Sequence, residues 1–373
     1  MNNALIARMQ APGPKKLLAL DGGGIRGMMT VEVLAEIESL LRKELGRGDD
    51  FVLADYFDFV AGTSTGAIIA ACISLGMKVA DIRAFYISSG KEMFDKASLL
   101  KRFRYQYEDE KLAAKMQDVF GKDATLGSDR LRTVLMMVMR NATTDSPWPM
   151  SNNPFARYNQ PERDDCNLNI PLWQLVRAST AAPVYFPPEV VKVGQHDFVF
   201  VDGGITTYNN PAFQAFLMAT VEPYKMNWAV GEDKLLVVSI GTGTSPQANT
   251  DLDPNEMNLL YNAGSIPSAL MYAALNEQDM LCRVFGHCRA GAALDREVGD
   301  LIGAKGPVGP GKLFTYMRYN AELSAAGLQA LGLGDIKPEN VQKLDSVEHI
   351  ADLQRLGQAV GRGVQPAHFA GFV

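Results

Sequence analysis

The feature that most constrains this chain is a unit used four times, a short apolar run ending in a glycine cluster. The four are LLAL (17–20) before DGGGIRG (21–27), YFDFVA (56–61) before GTSTG (62–66), FVFV (198–201) before DGG (202–204), and LLVVSI (235–240) before GTG (241–243). Apolar runs this short and this nearly uninterrupted suit strands buried on both faces, as in a parallel sheet. Two of the units lead into helical patterns. Leu34, Ile37, Leu41 and Leu45 recur at three- and four-residue steps with Gly46 placed to stop the helix, and AIIAACISL (67–75) stops at Gly76. The result reads βαβα, an α/β chain whose crossovers are right-handed. Both glycine loops then leave the carboxyl ends of parallel strands, where open α/β sheets place their ligands.

Elsewhere the punctuation is weaker. Residues 147–161 (PWPMSNNPFARYNQP) read as a long irregular loop, a surface connection or a lid, and residues 303–312 (GAKGPVGPGK) as a second loop. From residue 338 onward Val347, Ile350 and Leu353 are spaced as on a helix. The organisation expected is a tail at 1–14, a catalytic domain at 15–320 and a helical segment at 321–373, packed on it or regulatory. At 47% hydrophobic and 21% charged the chain is globular, and at 373 residues it is long enough to need no disulfide or metal for stability. Cys72, Cys166, Cys282 and Cys288 have no C-x-x-C spacing and read as free thiols. A net charge of −6 argues against a partner that is a nucleic-acid polymer. The first residues lack a signal-peptide apolar run and no window approaches the ~18 apolar residues of a membrane span, so a cytoplasmic protein is expected.

The chemistry centres on Gly62-Thr63-Ser64-Thr65-Gly66. This fits G-x-S-x-G, whose glycines let strand turn into helix so sharply that the serine hydroxyl stands out over the sheet. A side chain at Gly62 or Gly66 would collide with the neighbouring strand or the first helical turn. A serine attacking an acyl carbonyl needs fixed N–H donors for the oxyanion. Gly22, Gly23 and Gly24 offer a nest of amides at a helix N-terminus. For the base, His287, His349 and His368 follow Asp202 in the chain but none sits in a recognisable turn. Asp202 itself lies at a strand end before Gly203 and Gly204, so a Ser64–Asp202 dyad is preferred. An ordinary Asp, with a pKa of ~3.9, is a weak base, so the pairing requires that Asp202 be partly desolvated.

With DGGGIRG, GTSTG and DGG in this order, the chain resembles the patatin-like phospholipases, and residues 178–183 (ASTAAP), Tyr185-Phe-Pro187 and 239–243 (SIGTG) resemble the family as well. The resemblance implies a three-layer α/β/α fold with a mainly parallel central sheet. It implies a lipid acyl hydrolase that works at a membrane surface on phospholipid, with no cofactor and no catalytic metal. Ser64 would be the nucleophile and Asp202 the base. Gly22, Gly23 and Gly24 with Thr65 would form the oxyanion hole, and Arg26 would fix the loop or meet a phosphate. The mixed basic and apolar stretch Lys96–Tyr105 is a candidate interfacial element, though a charged helix face is the commoner use, and the Met-rich run 135–139 reads as core. Some bacterial members of about this size are switched on by cyclic nucleotides in anti-phage defence, which makes residues 245–373 a candidate place for an activator site. The competing reading is a phosphate-loop ATPase or sugar-kinase-like enzyme, from LALDGGGIRG and IGTG.

Overall fold

In the strand Lys15–Leu20 (β1), Leu18 and Leu20 enter one apolar cluster and Leu17 and Ala19 another, and all four are fully buried. The same period-two division recurs along its neighbours, so one sheet separates two layers of helices, a three-layer α/β/α arrangement. The computed structural model describes residues 2–94, 106–183, 186–245, 259–306 and 311–373. The basic and apolar stretch at 96–105 and Tyr185 of the Tyr-Phe-Pro motif lie outside the described residues, as does part of the 303–312 loop.

The other strands are Phe59–Thr63 (β2), Val134–Asn141 (β3), Ser146–Ser151 (β4), Glu189–Val193 (β5), His196–Asp202 (β6), Leu235–Ile240 (β7), His287–Ala290 (β8) and Thr315–Tyr319 (β9). They lie in the order β5-β6-β3-β2-β1-β7-β9-β8, with β4 also paired to β3. The pairs around β1, β2, β7, β8 and β9 are parallel, and β2 with β3 is parallel too; β3 with β4, β3 with β6, and β5 with β6 are antiparallel. The helices Gly27–Glu44, Thr65–Ser74, Val79–Phe94, Leu172–Thr180 and Ile350–Gly361 cover one face; Asn3–Gln10, Ala212–Thr220 and Leu259–Phe285 cover the other. Among the described residues no helix is long and apolar enough to cross a membrane.

Several expectations change. FVFV does form a strand, but β6 is antiparallel to both its partners rather than a member of the parallel set. The second apolar run is split, because Leu53–Tyr56 is a helical turn and the strand begins only at Phe59. The segment read as an irregular loop opens with β4. The stretch expected as a tail contains a docked helix: Leu5 and Met9 are buried, Arg8 pairs with Asp58 at 3.1 Å, and Trp228 Nε1 donates to the Met9 carbonyl at 3.0 Å. The Met-rich run is core, fully buried from Leu135 to Met139.

The C-terminal helix Ile350–Gly361 lies along Gly27–Glu44. Gly357 permits this approach, since a Cβ there would stand 2.6 Å from the Met29 carbonyl oxygen. Leu353 and Leu356 are fully buried at the contact, each contributing about 1.5–3 kcal/mol of apolar burial. Glu32, on the facing helix, receives Arg83 through two bonds of 2.7 and 2.8 Å and Gln354 and Gln358 at 3.3 Å each, so its buried carboxylate is fully paired.

Candidate active site

β3 places the site. Thr63, the last residue of β2, lies opposite Val138, and Asp202, the last of β6, lies opposite the next residue, Met139. Because β4 occupies the other edge of β3 from Met136 to Asn141, β2 and β6 share one edge and run toward each other. Two strand ends 139 residues apart therefore meet head-on with a one-residue step. Ser64, immediately beyond β2, takes φ 53° and ψ −123°, a strained turn for a residue with a side chain. The flanking glycines are obligatory: a Cβ on Gly62 would stand 2.1 Å from the Gly66 carbonyl oxygen, and one on Gly66 2.2 Å from that of Leu20.

Ser64 Oγ donates to Asp202 Oδ2 at 2.6 Å, and Asp202 Oδ1 accepts the Gly204 N–H at 2.6 Å. The two residues are 9% and 5% exposed, so the contact is nearly dry. Burial pushes the Asp202 carboxyl up to about 6, against the downward pull of its hydrogen bonds from Ser64 and Gly204. The desolvation that the pairing requires is present.

Around this pair the polar groups are placed by contacts that the motifs do not encode. The Ser64 N–H donates to Ser179 Oγ at 3.0 Å, and that hydroxyl donates to the Val138 carbonyl at 2.6 Å. The Gly22 N–H donates to the Asn209 carbonyl at 3.1 Å. Of the three glycine amides expected as oxyanion donors, that of Gly22 is thus already engaged. Among the described residues no acceptor takes the N–H of Gly23, Gly24 or Thr65. A Cβ on Gly22 would stand 3.2 Å from the Ser64 Cβ, so the glycine loop does lie against the serine. The Asn209 Oδ1, which would touch that same Cβ, is buried without a partner among the described residues.

The glycine loop is held from outside. Asp21 receives Arg318 of β9 in a two-bond pair of 2.8 and 2.5 Å, both side chains being buried, and Arg318 also donates to Ser239 Oγ at 2.7 Å. Thr242 Oγ1 donates to the Gly22 carbonyl at 2.7 Å. The Ile25 N–H donates to the Leu344 carbonyl at 3.0 Å, and Arg26 Nη1 to that of Gln342 at 3.2 Å. Burial lowers Arg26 to about 10, and its Nε has no partner among the described residues. Tyr86, buried beneath Thr65, hydrogen-bonds the Thr65 hydroxyl and donates to its carbonyl at 3.2 Å. The three histidines beyond Asp202 have partners elsewhere: His287 with Glu232, His349 with Asp352, and His368 with Tyr319.

A strand-to-helix serine turn thus faces a buried carboxylate beside a glycine-rich loop at the strand ends of an α/β sheet. The profile of the patatin-like phospholipase family matches residues 18–216, just over half of the chain, and the chain belongs to that family. Patatin-T5 of Solanum tuberosum is 28% identical over 251 residues, 62% of this chain and 61% of its own. An intracellular phospholipase A2 of Caenorhabditis elegans is 31% identical over 239 residues, 62% of this chain and 20% of its own. The chain thus spans less than two thirds of the length of these curated relatives. The solved structure of VipD from Legionella pneumophila aligns with 92% of this chain and 67% of its own at 15% identity and a TM-score of 0.38, too loose a match to carry an argument.

Proposed function

We propose that the protein is a serine lipid acyl hydrolase of the phospholipase A type, acting on fatty acyl esters of phospholipid at a membrane surface. Ser64 Oγ attacks the ester carbonyl while Asp202 takes its proton, and the alkoxide leaving group departs with that proton, leaving an acyl-Ser64 ester. A water then attacks the acyl carbon, giving its proton to Asp202; Ser64 Oγ leaves and recovers it, and the fatty acid is released. The N–H groups of Gly23, Gly24 and Thr65 are the donors proposed for the oxyanion in both steps: Thr65 follows the serine, the two glycines follow Gly22, whose Cβ position lies 3.2 Å from the Ser64 Cβ, and none of the three has an acceptor among the described residues.

The observation that carries this reading is the 2.6 Å Ser64–Asp202 hydrogen bond in a nearly dry site. An aspartate near pKa 6 is ionised at neutral pH yet basic enough to accept a proton in the transition state. Covalent labelling by a fluorophosphonate, with phospholipid hydrolysis measured in parallel, tests it. Both should be lost in Ser64→Ala and Asp202→Asn and retained when His287, His349 and His368 are replaced together. Labelling that persists in Ser64→Ala would refute the assignment.

A second reading is regulation, by a cyclic nucleotide in a bacterial anti-phage effector; what the contact of Gln342 and Leu344, outside the family match, with the glycine loop supports is a route by which the C-terminal segment acts on the site. A ligand that moved that segment would move the proposed oxyanion donors. Phospholipid hydrolysis with and without a panel of cyclic di- and trinucleotides decides it, and equal rates throughout would end it.

A further inference from the structure

We propose that Ser179 is a positioning residue for the nucleophile, its hydroxyl fixing the main chain of Ser64 so that Oγ stays aimed at Asp202. The proposal rests on the reading of Ser64 as the nucleophile. Every polar atom of Ser64 is committed. Its carbonyl accepts the N–H groups of Ala67 and Ile68 at 2.8 and 3.3 Å, its hydroxyl goes to Asp202, and its N–H goes to Ser179 alone. The helical bonds fix the carbonyl side of the strained turn, whereas the N–H side depends on one hydroxyl contributed 115 residues away.

Ser179 suits that task. It is fully buried near the end of the helix Leu172–Thr180, whose Leu172, Leu175 and Val176 are themselves fully buried, so the hydroxyl is delivered from a rigid element. Its own proton goes to the carbonyl of Val138, the residue of β3 that faces Thr63 and precedes the one facing Asp202. One hydroxyl thus ties the serine turn to the step on β3 where the two strand ends meet. With it gone, the Ser64 N–H would be buried without an acceptor, and the turn would relax toward a commoner conformation. The Ser64 hydroxyl would then drift from Asp202, although no group that touches substrate had changed.

The test compares Ser179→Ala, Ser179→Cys and Thr180→Ala with the wild type, using a soluble p-nitrophenyl ester and the rate of fluorophosphonate labelling, each variant being checked by thermal melting. Cysteine keeps the packing volume but is a poor hydrogen-bond acceptor. Thr180, next in the chain, sends its hydroxyl back to Val176 and Arg177 of its own helix and serves as control. Ser179→Ala and Ser179→Cys should lower kcat and the labelling rate about 10- to 100-fold, with KM little changed and Thr180→Ala near wild type. The acid limb of the pH profile supplies the readout that general loosening would not move. Among the described residues only Ser64 and Gly204 hydrogen-bond the Asp202 side chain and no charged side chain shifts it, so a weakened Ser64 contact should carry that limb to higher pH. A folded Ser179→Cys with wild-type kcat and an unmoved limb would overturn the proposal. Activity surviving in Ser64→Ala would instead remove the reading on which it rests.

Discussion

Asp202 holds its charge in a place that disfavours charge. Two hydrogen bonds stabilise the carboxylate, yet burial still carries it up to about 6 from an ordinary 3.8, so the folded protein holds the proton more tightly than the unfolded chain does. A raised carboxyl pKa means that stability is greatest below about pH 4 for this group and is lost as pH rises through about 6. The shift corresponds to about 3 kcal/mol at neutral pH. Two outcomes follow. In the active protein kcat/KM should rise with pH around a midpoint near 6, because only the ionised carboxylate accepts the serine proton; a flat profile from pH 5 to 8 would exclude Asp202 as the base. Asp202→Asn should be inactive yet more stable than wild type by about 1–3 kcal/mol in urea denaturation at pH 8, the gain shrinking toward pH 4. An asparagine can still accept from the Gly204 N–H and donate to Ser64, so little else is lost, and a destabilised Asp202→Asn at pH 8 would contradict the account.

At the scale of strands and turns, the sequence revealed what local sterics dictate and concealed what long-range pairing decides. β1 and β7 and the serine turn were legible because apolar runs and obligatory glycines mark them directly. The direction of β6 was not, since FVFV reads the same in a parallel or an antiparallel neighbour. That direction is what turns Asp202 to face Ser64. The PWP of β4 read as loop because prolines oppose a central strand; β4 is instead an edge strand, with Pro147 and Pro149 at alternate positions, so the lost N–H donors fall on one side of it. Arg318 left no local signal at all, yet its pairing with Asp21 holds the start of the glycine loop. Arg318→Met should leave that carboxylate buried and unpaired, costing about 3–5 kcal/mol, and adding Asp21→Asn should recover a large part. A double-mutant cycle in denaturant measures this, and strictly additive losses would show that the pair does not act as a unit.

Across the whole molecule, the family match stops at residue 216, yet the glycine loop within it is braced by Thr242, Arg318, Gln342 and Leu344. The C-terminal region is therefore mechanically part of the candidate site, although among the described residues it adds no group to the Ser64–Asp202 pair. Its attachment runs through the close pairing of Ile350–Gly361 with Gly27–Glu44, and that helix begins directly behind the loop. Gly357→Leu tests the connection at a distance. Its side chain would enter space already held by the Met29 carbonyl and the Glu32 Cβ, both within 2.6 Å of the new Cβ, so the C-terminal helix must move outward. If the segment carries the loop with it, the Leu344 bond to the Ile25 N–H loosens, and hydrogen exchange at Ile25 should accelerate about 10-fold or more, with fluorophosphonate labelling slowed in parallel. Amides in β1 and β2 should keep their protection, because those strands pair with one another and not with the C-terminal helix. Unchanged exchange at Ile25 in a variant whose C-terminal helix has demonstrably loosened would mean that the loop stands by itself. The case for regulation through residues 342–344 would then lose its physical basis.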